Sequence, residues 1–244
     1  MSTTTSAASE YRLPLSPKSR APILPLETGD CMNRAEFRRR CEAMPDLERV
    51  ELIEGIVFMG AAVRYTQHGG PHQLLIGWLD RFLEEAPGLL GGINTSVGLD
   101  DINEPQPDAF LMLPPGMSKA AVTVDGYLEG PPEFVAEVSA STTSIDLHPK
   151  FEAYRRNGIR EYLVWRVVDR QVDWFALPGG QFVRLPADAD DVLRSRVFPG
   201  LWLDAAALVS QRRKRVYAVL RQGLATPEFV AFAAEVAKHA PAGE

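Results

Sequence analysis

The sequence predicts an α/β domain in which helices pack on a mixed β-sheet. Three observations predict it. Helix-like and strand-like segments alternate along the chain, apolar residues recur at helical spacing over residues 75–83, and a helical segment at 146–157 joins two strand-like segments. Such a crossover makes the two strands parallel, and the connection between them is right-handed. The short turns elsewhere make antiparallel hairpins. The sheet is therefore expected to contain both kinds of pairing.

The first elements are a helix and a hairpin. Asn33 is placed as an N-cap, Glu36 completes a capping box, and Pro45 ends the helix. Residues 50–59 alternate and are β-branched, which predicts two short strands that meet at a turn, Glu54-Gly55.

The remaining elements follow from periodicity and from turn residues. An amphipathic helix is predicted within "GPHQLLIGWLDRFLEEAPG". The other predicted strands are 89–99, 108–113 and 133–139, followed by a hairpin of "EYLVWRVV" and "QVDWFAL" that turns at Asp169-Arg170. The other predicted helices are 146–157, 200–222 and 226–240. The first of these is closed by Asn157-Gly158. The chain divides into a flexible N-terminal arm over 1–28, a globular domain over 29–225, and a C-terminal helix and tail over 226–244.

Composition restricts the class of protein. The chain has 244 residues, 45% hydrophobic and 24% charged, which is ordinary for a soluble globular protein. The net charge of −6 gives no support to a broadly basic, DNA-coating surface, although it leaves room for a local basic groove. Two cysteines are too few for a disulfide framework or a structural zinc site. We see no signal peptide and no membrane span, and expect a cytoplasmic protein.

One carboxylate stands out within a segment that reads as a buried strand. Glu137 lies among Phe134, Ala136 and Val138 but faces the other way, because side chains alternate along a strand. Asp108 begins another strand. If the two strands are neighbours, the carboxylates approach each other and repel unless a cation lies between them. Magnesium, which takes one or two carboxylates plus water and phosphate oxygens, would relieve this repulsion.

A lysine follows on the next helix. Asp146, Lys150 and Tyr154 are spaced by four and form one row along it. From there Lys150 could lean over the end of strand 133–139, where it would stabilise a developing negative charge or orient an attacking water.

Four segments together resemble the Uma2 family, a large bacterial group with the restriction-endonuclease-like fold. They are "ELIEG", "PHQLLIGWL", "QPDAF" and "EFVAEVSASTTSIDLHPKFEAYRRNGIREYLVW". The resemblance covers about residues 30 to 225. It implies that the mixed sheet flanked by helices is a restriction-endonuclease-like core, and that 29–225 is an endonuclease domain.

The resemblance also implies roles for single residues. Pro107-Asp108 matches the PD of the nuclease signature, and Glu137 matches its second acid. The signature's lysine, two positions later, is replaced here by Ser139, and Lys150 is the matching lysine on the following helix. An acid from "ELIEG" often completes such sites. Glu54 is the better match and Glu51 the weaker.

The implied reaction is hydrolysis of phosphodiester bonds in DNA with Mg²⁺ or Mn²⁺ held by Asp108 and Glu137. Lys150 would add charge, and Glu54 would act through a metal-bound water. His72 would face the same cleft or cap its helix. The residues expected to contact phosphates are Arg155, Arg156, Arg160 and the cluster Arg212, Arg213, Lys214 and Arg215.

Simpler interpretations stay open. Glu137 could pair with Lys150 without any metal, Asp108 could be an ordinary strand-entry residue, and 212–215 could be a solvated face. The protein could also be a degenerate nuclease-fold module that binds nucleic acid or protein, or an interaction protein that oligomerises through its hydrophobic hairpin. A homodimer is expected only by analogy with the fold. The sequence assigns no role to His68, His148 or His239.

Overall fold

The computed structural model describes residues 23–60 and 62–240. The predicted flexible arm falls largely on residues 1–22, and the end of the predicted tail on 241–244, which lie outside the described residues. Within the described chain, the helices are α1 (Arg34–Glu42), α2 (Gly70–Glu84), α3 (Thr143–Asp146), α4 (Pro149–Asn157), α5 (Ala205–Val209), α6 (Arg213–Leu224) and α7 (Pro227–Ala237). A π-helical turn, Tyr65–Gly69, precedes α2.

The strands of the described chain are short, and six of them form the largest sheet. They are β1 (Val50–Ile53), β2 (Ile56–Met59), β3 (Leu90–Gly92), β4 (Val97–Gly98), β5 (Ala109–Met112), β6 (Ala121–Val122), β7 (Leu128–Glu129), β8 (Phe134–Ser139), β9 (Glu161–Arg166), β10 (Gln171–Ala176), β11 (Val183–Arg184), β12 (Val192–Arg194) and β13 (Trp202–Asp204). The six-stranded sheet has the order β11-β10-β9-β8-β5-β3. β8 and β9 are parallel, and the other neighbours in this sheet are antiparallel, so the predicted mixed sheet is confirmed.

The sheet is buried on both faces. On one face, residues such as Ala109, Phe134 and Ala136 pack with α2 and α6 in the larger core. On the other face, Phe110 and Val135 pack with residues of α4 in a smaller core. The central strands therefore alternate between two apolar environments, and a charged residue on either side must have a local explanation.

The β1–β2 hairpin forms as predicted and lies beside the sheet. Glu54 occupies its turn with φ 52°, an uncommon value for a residue with a side chain. The main-chain N–H of Leu52 donates to the Glu104 carbonyl at 3.1 Å, and that of Glu104 donates to the Leu52 carbonyl at 2.7 Å. These two bonds fix β1 against the loop that leads into β5.

Three predicted elements differ from the structure. The strand at 89–99 is two strands, β3 and β4, which join different sheets. The helix at 146–157 is divided into α3 and α4, because Pro149 disfavours helical geometry at His148, whose φ and ψ are −124° and −85°. The helix at 200–222 is instead β13, α5 and α6, with the Asp204 side chain capping α5 through the Ala207 N–H at 2.7 Å.

The aromatic hairpin of β9 and β10 belongs to the core. Trp165 and Trp174 are each about 1% exposed and pack in the larger cluster. They are therefore not free to form a subunit interface. Among the described helices, none combines the length and the apolar character needed to cross a bilayer.

A buried carboxylate outside the candidate site makes stability depend on pH. Glu161 is fully buried; it accepts hydrogen bonds from the Ser195 hydroxyl at 2.7 Å and the Arg196 N–H at 2.6 Å. Burial raises its pKa from 4.5 to about 7. The folded protein thus keeps a proton that the unfolded chain releases, so the free energy of unfolding should fall by about 3 kcal/mol between pH 4.5 and pH 7. Urea unfolding of Glu161→Gln should show a flatter pH dependence than the unmodified chain. Parallel curves for the two proteins would refute this origin.

Candidate active site

The two predicted acids lie opposite each other on neighbouring strands. The register of β5 against β8 pairs Ala109 with Ala136, which places Asp108, one residue before β5, across from Glu137. Directly opposed residues of an antiparallel pair project to the same face. Both side chains line one cleft with a volume of about 410 Å³. The structure therefore brings together the two carboxylates that the sequence singled out.

Glu137 is held by Lys150 and Tyr154. Its Oε1 atom accepts hydrogen bonds from the Lys150 ammonium at 2.9 Å and from the Tyr154 hydroxyl at 3.0 Å, and all three side chains are buried. Lys150 also lies 2.7 Å from Glu51 Oε1 and 3.7 Å from Asp146 Oδ1. Burial alone would lower the pKa of Lys150, but the carboxylates of Glu137 and Glu51 raise it well above the ordinary value. The lysine is therefore a permanent cation in this cluster.

The cluster has more acids than bases. One ammonium, Lys150, faces three carboxyl groups, those of Glu51, Glu137 and Asp146. Burial raises the pKa of Glu137 well above its usual value, and the nearby carboxylates Asp146 and Asp108 raise it further, against the lowering effect of Lys150. An additional positive charge in the cleft would relieve this excess.

Asp108 is held from two sides. Its Oδ2 atom accepts a hydrogen bond from the Val138 N–H at 2.7 Å, and its Oδ1 atom lies 3.1 Å from His68 Nε2. Burial would raise the pKa of Asp108, but His68 and the Val138 N–H outweigh it and keep the pKa below the usual value. Asp108 is therefore ionised and oriented into the cleft.

His72 acts on the main chain of the same residue. Its Nε2 atom lies 3.1 Å from the Asp108 carbonyl oxygen, and its ring centroid lies 5.2 Å from that of His68. It makes no side-chain cap for α2. The expectation that His72 faces the site is met only through the backbone of Asp108, because the ring does not line the cleft.

Glu54 was placed in the cluster by resemblance, and this placement is wrong. Its carboxylate accepts hydrogen bonds from Arg156 at 2.6 and 3.2 Å, away from the cleft. Glu51 takes the position instead, and its Oε1 also accepts the Gln106 N–H at 2.7 Å. Strand alternation explains the difference: Glu51 lies between the buried residues Val50 and Leu52 and faces the other way, towards Lys150.

The arginines expected at the phosphate do not reach the cleft. Arg155 and Arg156 lie in the last turn of α4, whereas Lys150 lies in its first turn, and Arg160 is exposed beyond the helix. Arg155 pairs with Glu152 at 2.9 Å. The residues of 212–215 are likewise exposed and do not line this cleft.

Two other arginines lie at the cleft. Arg49 and Arg64 are exposed and line its rim. Sequence reasoning missed both of them, because neither belongs to a cluster of basic residues.

His68 is a third residue at the cleft that the sequence did not identify. It lies on the π-helical turn before α2, a rare conformation that occurs frequently at functional sites. The spacing of four between His68 and His72 was the available signal, because residues so spaced share one side of a helix.

The donor set fits a magnesium-type ion. Within residues 23–60 and 62–240, no three His, Cys, Asp or Glu side chains form a ready-made metal cage. Magnesium seldom needs one, since it binds through one or two carboxylates and keeps several waters. Asp108 and Glu137 on one face, in a cleft with surplus negative charge, meet that requirement.

Comparisons with known proteins give a family match and a structural neighbour of low sequence identity. A family model described as "Uma2: Putative restriction endonuclease" matches residues 34–206. A solved structure described as a "putative nuclease belonging to DUF820", from Anabaena variabilis, has 12% sequence identity and a TM-score of 0.48, and the alignment covers 73% of this chain and 97% of that one. A search of curated proteins gave no match.

Proposed function

This chain belongs to the Uma2 family, and from that premise we propose that it is a metal-dependent endonuclease that hydrolyses phosphodiester bonds in DNA. The observation that carries the proposal is the pairing of Asp108 and Glu137 across β5 and β8, with the Lys150 ammonium 2.9 Å from Glu137. Two acids and a lysine converge in one cleft although they come from three separate elements.

The residues divide the work by position. A bound Mg²⁺ or Mn²⁺ supplies the charge that neutralises the scissile phosphate and activates water. Asp108 and Glu137 bind that ion. Lys150 places a fixed positive charge beside the reacting phosphate, where developing negative charge is stabilised. Tyr154 holds Glu137 through its hydroxyl, and His68 holds Asp108, so that neither carboxylate must reorganise during the reaction.

The direct test is nicking of supercoiled plasmid with Mg²⁺ or Mn²⁺. Glu137→Gln is expected to lower the rate at least about 100-fold, because it removes a charged ligand from the reacting centre. Glu54→Gln is the matched control, because it makes the same chemical change outside the cleft and should stay within about threefold of the unmodified protein. Equal nicking by all three proteins would identify a contaminant and remove the catalytic assignment.

A second function has two observations in its favour. Ser139 occupies the usual lysine position and donates its hydroxyl to Thr143 at 2.9 Å, while Lys150 is already paired with two carboxylates. A degenerate member with these features would bind DNA without cleaving it. In the same assay this alternative is supported by a gel shift of the plasmid that weakens with salt, together with no nicking under any metal.

A further inference from the structure

A second groove adjoins the cleft across the start of α2. It is lined by His72, Gln73, Ile76, Arg81, Arg213 and Tyr217. His72 borders this groove and His68 borders the cleft, and their rings are 5.2 Å apart. Asn94 lines the cleft while its neighbour Ile93 lines the groove. The two depressions therefore share a boundary.

The groove is a built surface of two arginines and an aromatic ring. The Arg81 guanidinium stacks over the Tyr217 ring at 3.8 Å and donates to the Gly77 carbonyl at 2.8 Å. A Cβ atom at Gly77 would lie 2.6 Å from the Tyr217 hydroxyl, so glycine is what allows Tyr217 of α6 to approach α2. Arg213 lies 3.3 Å from the Gln73 side-chain oxygen. Neutral partners thus orient both guanidinium groups without neutralising them.

The charge on these arginines remains available. Within the part of the chain that the structure describes, neither Arg81 nor Arg213 has a carboxylate within salt-bridge distance, whereas Arg155 and Arg156 are both paired. The same holds for Arg49 and Arg64 at the rim of the cleft. In a protein with a net charge of −6, both depressions are therefore bordered by arginines that have no carboxylate partner among the described residues.

We propose that the groove formed by Gln73, Arg81, Arg213 and Tyr217 binds the phosphate backbone of the DNA strand outside the scissile bond. This inference rests on the proposed function. Arginine recognises phosphate through paired N–H donors, and a stacked arginine is already ordered for it. A strand bound in the groove extends beyond the scissile bond, which favours cleavage within a strand over cleavage at its end.

The separation between the groove and the cleft sets how many nucleotides lie between the two. The groove's lining residues Gln73, Ile76 and Gly77 on α2 lie about 8–14 Å from His68 along the helix axis, at roughly 1.5 Å per helical residue. With about 3.4 Å per nucleotide along one strand, that span corresponds to about two to four nucleotides. A substrate with a single phosphodiester is too short to use the groove.

Binding is tested with a labelled 30-base-pair duplex and Ca²⁺ in place of Mg²⁺. Arg213→Ala should weaken binding about 3–10-fold and reduce the slope of log affinity against log salt by about one, because one phosphate contact is lost. Arg221→Ala is the matched control: it is also an exposed arginine on α6, but it lies outside the groove. Arg213→Ala removes the N–H that Arg213 donates to the Tyr217 hydroxyl at 3.4 Å but leaves both partners of the Arg81–Tyr217 stack in place. A melting temperature within about 2 °C of the unmodified protein confirms that the fold is intact.

Catalysis is read separately with bis(p-nitrophenyl) phosphate and Mn²⁺. Arg213→Ala should leave this hydrolysis within about twofold, since the small diester occupies the cleft alone. The inference is overturned if Arg213→Ala binds the duplex as Arg221→Ala does, or if it impairs the small diester as much as the duplex. If the unmodified protein neither binds the duplex nor hydrolyses either substrate, the proposed function fails and the groove with it. Weakened duplex binding by Arg213→Ala in a protein that does not cleave supports the groove and the non-cleaving alternative.

Discussion

Lys150→Met is expected to lower the free energy of unfolding by about 3–5 kcal/mol at pH 7, which is the usual cost of removing one partner from a buried ion pair. Methionine keeps the length of the side chain but leaves the carboxylates of Glu51, Glu137 and Asp146 without their cation. Urea unfolding measures the change. Lys119→Met is the control, because Lys119 is exposed and forms no salt bridge within the described residues.

The double variant Lys150→Met/Glu137→Gln separates charge from packing. It removes one of the stranded carboxylates and should recover at least about 1 kcal/mol relative to Lys150→Met alone. Saturating Mg²⁺ should stabilise Lys150→Met more than the unmodified protein, because the cleft then lacks its internal cation. A loss below about 1 kcal/mol for Lys150→Met would mean that the cluster is not an ion network at all.

Asp108→Asn is expected to weaken Mn²⁺ binding at least about tenfold, since even outer partners of metal ligands commonly contribute this much. Asparagine has nearly the same shape, and its side-chain oxygen can still accept the Val138 N–H, so the local geometry survives while the charge is removed. Isothermal titration calorimetry with Mn²⁺ measures the affinity without any substrate. Nicking should fall at least about 100-fold in parallel.

Asp80→Asn provides the comparison for this variant, because Asp80 is an exposed residue of α2 that does not line the cleft. Its Mn²⁺ affinity should match that of the unmodified chain. Equal affinities for Asp108→Asn and Asp80→Asn would remove Asp108 from the list of ligands.

Part of the site could be predicted from sequence by geometric rules, whereas the pairing of the strands of Asp108 and Glu137 was only a condition, which the structure meets. Strand alternation set the face of Glu137, the helix at 146–157 required β8 and β9 to be parallel, and a spacing of four grouped Asp146 with Lys150. The grouping survived even though Pro149 divides that helix, since α3 and α4 remain in contact.

The errors came from features that depend on tertiary contacts. Glu54 was chosen over Glu51 by resemblance. It lies at the hairpin turn with positive φ, and the conformation of the turn directs its side chain to Arg156. Arginines at the cleft were sought in clusters of charge, whereas Arg49 and Arg64 meet there from separate segments, and Arg213 of the cluster 212–215 borders the neighbouring groove. No spacing rule joins residues of that kind, and only the folded chain shows them together.

Because the sheet is buried on both faces, Asp108 also has a structural role. β5 is apolar on both sides, with Phe110 and Met112 in one core and Ala109 and Leu111 in the other. Sliding it by one residue would exchange these sides at little hydrophobic cost. The Asp108 carboxylate accepts the Val138 N–H, and this hydrogen bond opposes the exchange. The acid proposed for chemistry therefore also fixes the register and facing of β5. Random mutagenesis selected only for folding, with no demand for activity, should therefore still favour a hydrogen-bond acceptor at this position.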